Sequence, residues 1–148
     1  ISVVIPAFNE GELIITTLRG IPDFVDSIYV VHDCSTDDTL QKIKSCQEKD
    51  NRILIINHEK NMGLGQTLID GYLESAKSDN DITAIMAGDN QMEPNDLPGL
   101  LDCIIDDNFD YVKGNRLLHK NIKKVSSHQM IQRQLSVKNY RGGHEQSH

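Results

Sequence analysis

Asp33 and Asp89 each stand just past a short run of apolar, β-branched residues, Asp33 after Ser27–Val31 and Asp89 after Ile82–Met86. A carboxylate in such a place, flanked by a small residue such as Gly88, suits a hard divalent cation held by oxygen ligands. Arg116 follows another run, Phe109–Val112, and its planar guanidinium suits bidentate recognition of a phosphate. Asn61-x-Gly63-x-Gly65 follows Arg52–Ile56, and its glycines would let backbone amides approach a phosphate. Pro6-Ala7-Phe8-Asn9-Glu10 follows the opening run Ile1–Ile5. Each cluster also has a plainer reading. Asn9-Glu10 can be a turn and cap, Asp33 can begin a turn, the glycine pair can simply lead into a helix, and Arg116 can serve an ion pair. His32 lies beside Asp33, but no serine or cysteine nucleophile stands at a matching spacing, so it reads as a wall or packing residue.

These runs read as buried strands alternating with helices. Helical patterns fall at Glu10–Gly20, from Asp37 to about Glu48, at Leu64–Ser78 and at Asn95–Asp107. The last is the clearest, because Leu97, Leu100, Leu101, Ile104 and Ile105 form one apolar stripe. The order β-α-β-α-β-α-β-α-β predicts an α/β fold: a mainly parallel open sheet with right-handed crossovers. Ligands of such sheets bind outside the carboxyl ends of the strands, where all five polar clusters fall. After Leu118 the pattern fades. Residues 1–118 form the expected domain, and 119–148 read as a basic polar tail with a flexible end at Arg141–His148; Ile131 and Leu135 could mark a short helix.

A length of 148 residues suits one domain with its own core. The net charge of −7 and the absence of Trp argue against a nucleic-acid partner. Charge is uneven: residues 1–118 carry 9 Lys+Arg against 21 Asp+Glu, whereas 119–148 carry 6 against one. No apolar run approaches the ~20 residues of a membrane span, and no signal peptide is visible. Three cysteines without metal-like spacing suggest a reduced, cytoplasmic setting, with Cys46 and Cys103 as small core residues.

Taken in order, Val3-Val4-Ile5-Pro6-Ala7-Phe8-Asn9-Glu10, His32-Asp33-Cys34-Ser35-Thr36-Asp37-Asp38-Thr39 and Asn61-x-Gly63-x-Gly65 resemble the opening half of family 2 glycosyltransferases, which have a GT-A fold. Met86-Ala87-Gly88-Asp89-Asn90-Gln91-Met92-Glu93-Pro94 is similar to that family's Asp-x-Asp metal region. Asp110-Tyr111-Val112-Lys113-Gly114-Asn115-Arg116 is similar to a stretch of the branch that includes dolichyl-phosphate mannose synthases. The resemblance covers residues 1 to about 118. It implies a Rossmann-like GT-A sheet with helices on both faces, C-terminally truncated because the family continues into an acceptor half.

What the resemblance implies for residues follows motif by motif. Pro6, Ala7, Phe8 and Glu10 would line the nucleotide, as would Asn61, Gly63 and Gly65. Asp33 would hydrogen-bond the base. Asp89 would hold Mg2+ or Mn2+ bridging the donor diphosphate, with Gln91 close by. Arg116 would face a phosphate, and with Asp89 would carry the catalytic role. The reaction would be inverting transfer from a UDP- or GDP-sugar to a lipid-phosphate or glycan acceptor. Further expectations are peripheral contact with the cytoplasmic face of a membrane through the basic tail, and a homodimer paired through a sheet edge. This chain departs from the family at His32 and Ala87, where aspartates are usual, and at Cys34 and Asn90, where glycine is common. The Ala87 departure supports an alternative, a donor-binding but inactive member. A dinucleotide-dependent oxidoreductase would need Gly-x-Gly-x-x-Gly after the first strand, where this chain has Ala7-Phe8-Asn9-Glu10-Gly11-Glu12. A sugar-nucleotide pyrophosphorylase would need a Gly-rich, Arg-containing loop there, and a phospho-acceptor signalling domain an acidic pair.

Overall fold

The computed structural model describes residues 1–90, 92, 94–107, 109–113 and 136–139. The strands are β1 Ser2–Ala7, β2 Ser27–His32, β3 Ile53–Asn57, β4 Ile82–Ile85, β5 Tyr111–Lys113 and β6 Ser136–Asn139. The α-helices are α1 Ile14–Gly20, α2 Thr39–Gln47, α3 Gly63–Ala76 and α4 Leu97–Ile105, the last led in by a 3-10 turn at Pro94–Asp96. The sheet runs β3-β2-β1-β4-β6-β5. β1 pairs in parallel with β2 and β4, and β2 with β3, while β6 lies antiparallel between β4 and β5.

Side-chain alternation along β1 divides the core. Val3, Ile5 and Ala7 join Ile28 and Val30 of β2 on one face, under Ile14 and Leu18 of α1, Ile43 of α2 and Leu97, Leu101 and Ile104 of α4. Val4, Tyr29 and Val31 point to the other face, which α3 covers. Helices therefore lie on both faces, as the sequence predicts. A β-carbon on Gly71 would sit 2.3 Å from Val4 Cγ1 and 3.1 Å from Val31 Cγ2, so glycine is what lets α3 approach the sheet this closely. Beside it the buried hydroxyls of Ser2, Ser75 and Thr83 bond one another, so these three polar groups are satisfied beneath α3.

Three differences from the sequence reading have physical causes. β1 continues through Pro6 to Ala7 rather than ending at Ile5. Pro6 faces the β4 side, and β1–β4 pairing covers only Ser2–Val4, so its missing N–H removes no ladder bond. α1 starts at Ile14 rather than Glu10, because the Glu10 carbonyl closes a turn by accepting the amides of Leu13 and Ile14. β6 lies inside the segment read as a tail and stands between β4 and β5, a strand that the sparse apolar pattern of Ser136-Val137-Lys138-Asn139 does not announce. Ile131, Leu135 and Arg141–His148 lie outside the described residues. Among the described residues, no helix is long and apolar enough to cross a membrane.

Candidate nucleotide and metal site

From β1 the chain proceeds to β2 on one side, while β4 flanks β1 on the other, so the β1–β4 boundary is the crevice where an open parallel sheet takes its ligands. Two turns meet there, the one after β1 and the one after β4. Gly88 lets them touch: a β-carbon there would lie 3.1 Å from the Pro6 carbonyl oxygen and 3.4 Å from Glu10 Cγ. The Gly88 carbonyl accepts a 3.0 Å bond from Thr17 Oγ1, tying the β4 turn to α1. Asn90 closes that turn at φ 54°, a left-handed conformation asparagine tolerates. Half-buried Asp89 is thereby held beside Glu10.

Crowding shows in the electrostatics. Burial, then the charge of Asp89, then that of Asp37, raises the Glu10 carboxyl from 4.5 to about 6. Because the folded value exceeds the unfolded one, the native state gains from protonated Glu10 below pH 4.5, and this gain is lost as pH rises through 6. Glu10→Gln is therefore expected to melt higher than the parent at pH 7.5 by a few degrees, with the gap closing below pH 4.5. Thermal melts across pH 4–8 check this; a gap that is constant across the range would contradict it.

The Ser35-Thr36-Asp37-Asp38-Thr39 stretch holds the first turn from behind. The amide of Asn9 donates to Ser35 Oγ at 3.0 Å, that of Glu10 to Thr39 Oγ1 at 2.9 Å, and that of Gly11 to Asp37 Oδ2 at 3.0 Å. Asn9 Oδ1 accepts the Thr36 amide at 2.9 Å, and Lys42 Nζ donates to the Gly11 carbonyl at 2.7 Å. The Thr39 hydroxyl, outweighing burial and joined by the amides of Thr39 and Gly11, holds Asp37 below the ordinary carboxylate value. The side chains of the second motif thus stand in for helix caps. Cys34 takes φ 55°, a conformation that costs a side chain about 1–2 kcal/mol.

Asp33 is buried at the end of β2, at 3% exposure. Its Oδ1 accepts His58 Nδ1 and the Met62 amide, both at 2.7 Å, and its Oδ2 accepts the Gly63 amide at 2.9 Å. Burial opposes its charge, but the Met62 amide, the His58 ring and the Gly63 amide outweigh it and hold its pKa below 3.8. The other nitrogen of His58 lies 3.0 Å from Asp70 Oδ2, and Gln66 Nε2 donates to Asp70 Oδ1 at 2.9 Å. His32 has a fixed role too. Its Nε2 accepts the Ser35 amide at 3.0 Å, so its Nδ1 carries the proton and donates to Asn57 Oδ1 at 2.7 Å. It is a packing and loop-holding residue, as its sequence context suggests.

The structure therefore brings Pro6, Ala7, Glu10 and Asp89 together at the β1–β4 crevice, and Asp33 and Gly63 at the neighbouring β2–β3 ends. Phe8 and Asn61 are exposed beside these turns, and Gly65 lies in the first turn of α3 with open space over it. Gln91 and Arg116 lie outside the described residues. Sequence reasoning passed over His58 and Asp70. His58 immediately follows β3, so inspecting strand ends from their first residue would have found it. Among the described residues no three His, Cys, Asp or Glu side chains converge as a metal cage, so a cation here would depend on Asp89 together with ligand phosphates. The three cysteines are free and partly buried, Cys46 packing against the core.

The sheet order, the crevice and the ordered motifs define a GT-A type α/β domain, and comparison with known proteins supplies the family. The model of Glycosyl transferase family 2 matches residues 2–147, and the chain belongs to that family. It is 28% identical over 140 residues to the UDP-N-acetylglucosamine–dolichyl-phosphate N-acetylglucosaminyltransferase of Methanococcus voltae, covering 86% of this chain and 55% of that protein. It is 28% identical over 103 residues to the undecaprenyl-phosphate mannosyltransferase of Micrococcus luteus, covering 68% of this chain and 42% of that one. The chain thus spans about half the length of these relatives. In fold it is similar to the mannosyltransferase PcManGT from Pyrobaculum calidifontis in complex with GDP-Man and Mn2+, with a TM-score of 0.66 at 18% identity over 93% of this chain and 44% of that one.

Proposed function

We propose that this chain supplies the donor half of an enzyme that transfers a sugar, with inversion, from a UDP- or GDP-sugar to a polyprenyl-phosphate acceptor. The observation that carries the reading is the meeting of Glu10, Gly88 and Asp89 at the β1–β4 crevice, where burial and then the charge of Asp89 raise the Glu10 carboxyl. That concentration of negative charge fits a divalent cation, Mg2+ or Mn2+, with Asp89 as its protein ligand and Gln91 nearby. Such a cation, when bound, supplies charge neutralisation for the departing diphosphate. The residues of the chain do the rest. Pro6, Ala7 and Phe8 flank the nucleotide, and the Asn61–Gly65 turn shapes its far side. Arg116 orients an acceptor phosphate whose oxygen bonds to the anomeric carbon as the bond to the diphosphate breaks. A phosphate acceptor is already anionic and needs no strong general base.

The two relatives named for dolichyl-phosphate and undecaprenyl-phosphate support the acceptor class. The acceptor places the work at a membrane face, and the excess of Lys and Arg in residues 119–148 suits an anionic surface on the cytoplasmic side. A homodimer is proposed through an edge strand such as β3. Ala87 favours one second reading, donor binding without transfer, because it removes a carboxylate from the metal turn. Incubating the chain with UDP- and GDP-sugars carrying a radiolabelled sugar, Mn2+ and undecaprenyl phosphate separates the two. Label in the organic phase supports transfer; donor bound without labelled lipid supports the second reading.

A further inference from the structure

We infer that Thr17 of α1 is a positioning residue for Asp89: its hydroxyl fixes where the turn after β4 presents that carboxylate beside the β1 turn, an inference that rests on the donor-site reading above. Thr17 stands on the core-facing side of α1 with Ile14 and Leu18, and is 2% exposed. A hydroxyl in such a place costs stability unless it is bonded. An aliphatic side chain of the same shape would fill the space without that demand. A threonine inside a helix can turn its hydroxyl back onto the carbonyl four residues earlier. Here the Leu13 carbonyl takes the Thr17 amide, and the hydroxyl reaches across 71 residues of sequence to the Gly88 carbonyl at 3.0 Å.

The bond makes α1 a spacer between the two turns of the crevice. At its start the Glu10 carbonyl accepts the amides of Leu13 and Ile14, which ties α1 to the β1 turn. Thr17, on the same face as Ile14, ties it to the β4 turn. Ile14 reinforces the second tie, because its Cδ1 lies 3.3 Å from where a β-carbon on Gly88 would sit. The β4 turn leans on this outside support. Its Ala87 amide donates to Met92 Sδ at 3.4 Å, and a thioether sulfur is a weak acceptor. Taking away the Thr17 hydroxyl would leave the buried Gly88 carbonyl without this donor, which favours a shift of the peptide that leads directly into Asp89.

Thr17→Val keeps the shape and removes the hydroxyl; Thr17→Ser keeps the hydroxyl. Both are titrated with UDP and with GDP at a series of Mn2+ concentrations, following the nucleotide that the parent chain binds. Thr17→Val is expected to raise the Mn2+ concentration for half-maximal binding by about tenfold, the scale of one buried hydrogen bond, and Thr17→Ser to bring it back within about threefold of the parent. Amide hydrogen exchange reads the turn without nucleotide: Gly88, Asp89 and Asn90 should exchange about tenfold faster in Thr17→Val. Ile28→Val removes a core methyl group near the amino end of β2, the end of the sheet remote from the crevice, and should change neither reading. A parent-like Mn2+ requirement in folded Thr17→Val, a loss that Thr17→Ser does not repair, or equal changes in Ile28→Val overturns the positioning role while leaving the nucleotide site in place. A parent chain that binds neither nucleotide removes the donor-site reading and this inference with it.

Discussion

Asp89→Ala is expected to weaken Mn2+-dependent nucleotide diphosphate binding by about 100-fold or more, while leaving the melting temperature nearly unchanged. The size follows from the chain having one aspartate where the family pattern has two. On the proposed reading, with Ala87 in the first position, Asp89 would be the protein's anionic ligand among the described residues, and the cation's several kcal/mol of hold on the diphosphate would pass through it. The fold is spared because the turn is anchored elsewhere, by the Thr17 bond to the Gly88 carbonyl and the close packing of Gly88 on Pro6. A second signature accompanies the loss. Asp89 is the second cause of the raised Glu10 carboxyl after burial, so in Asp89→Ala that carboxyl should titrate lower than in the parent while staying above 4.5. Calorimetry gives the affinity, and carboxyl chemical shifts followed against pH give the titration; Mn2+-dependent binding that survives in Asp89→Ala would move the cation elsewhere.

Asp33→Asn is expected to destabilise the domain by about 3 kcal/mol, lowering Tm by roughly 6–12 °C. The substitution keeps shape and removes charge. One oxygen remains to accept where His58, Met62 and Gly63 now all donate, and the new amide sets N–H groups against those donors. Asp33 itself is buried, so the new amide cannot turn to water and its clash with those donors is poorly compensated. The pH dependence has a definite sign. The folded pKa of Asp33 is lowered below 3.8, so its stabilisation is present above pH 3.8 and disappears as pH falls further toward the folded value. Asp33→Asn should lack that acid limb. Chemical denaturation at pH 7 and pH 3 reads both effects, and equal stability of the two proteins at pH 7 would contradict the account.

How far the sequence speaks depends on what each element uses to form. The four parallel strands are legible because each reads as a continuous apolar run, as in Val3-Val4-Ile5 and Ile28-Tyr29-Val30-Val31, and β1, β2 and β4 are buried along nearly their whole length. α4 is legible because its stripe lies over one face of the core. β6 is not, since a four-residue antiparallel insert with lysine and asparagine carries too little pattern to separate it from a polar segment. At the site, Glu10, Asp33 and Asp89 stand out because they follow strands and because the motifs come in a recognisable order. Their environments stay hidden. That Asp33 is turned inward onto the next loop, or that His58 bridges it to Asp70, depends on two turns meeting in space across 25 and 12 residues of sequence separation. Glu10 is similar: only the packing of Gly88 reveals that its carboxyl shares space with Asp89.

On the proposed reading the β1–β4 crevice of this chain binds a nucleoside diphosphate through a cation on Asp89. Titrating the chain with UDP by calorimetry in Mn2+, and again after adding excess chelator, tests it most directly. Saturable binding with Mn2+ that chelator reduces by about 100-fold or more is expected. Binding that chelator leaves unchanged, or no nucleotide binding in either condition, would contradict it.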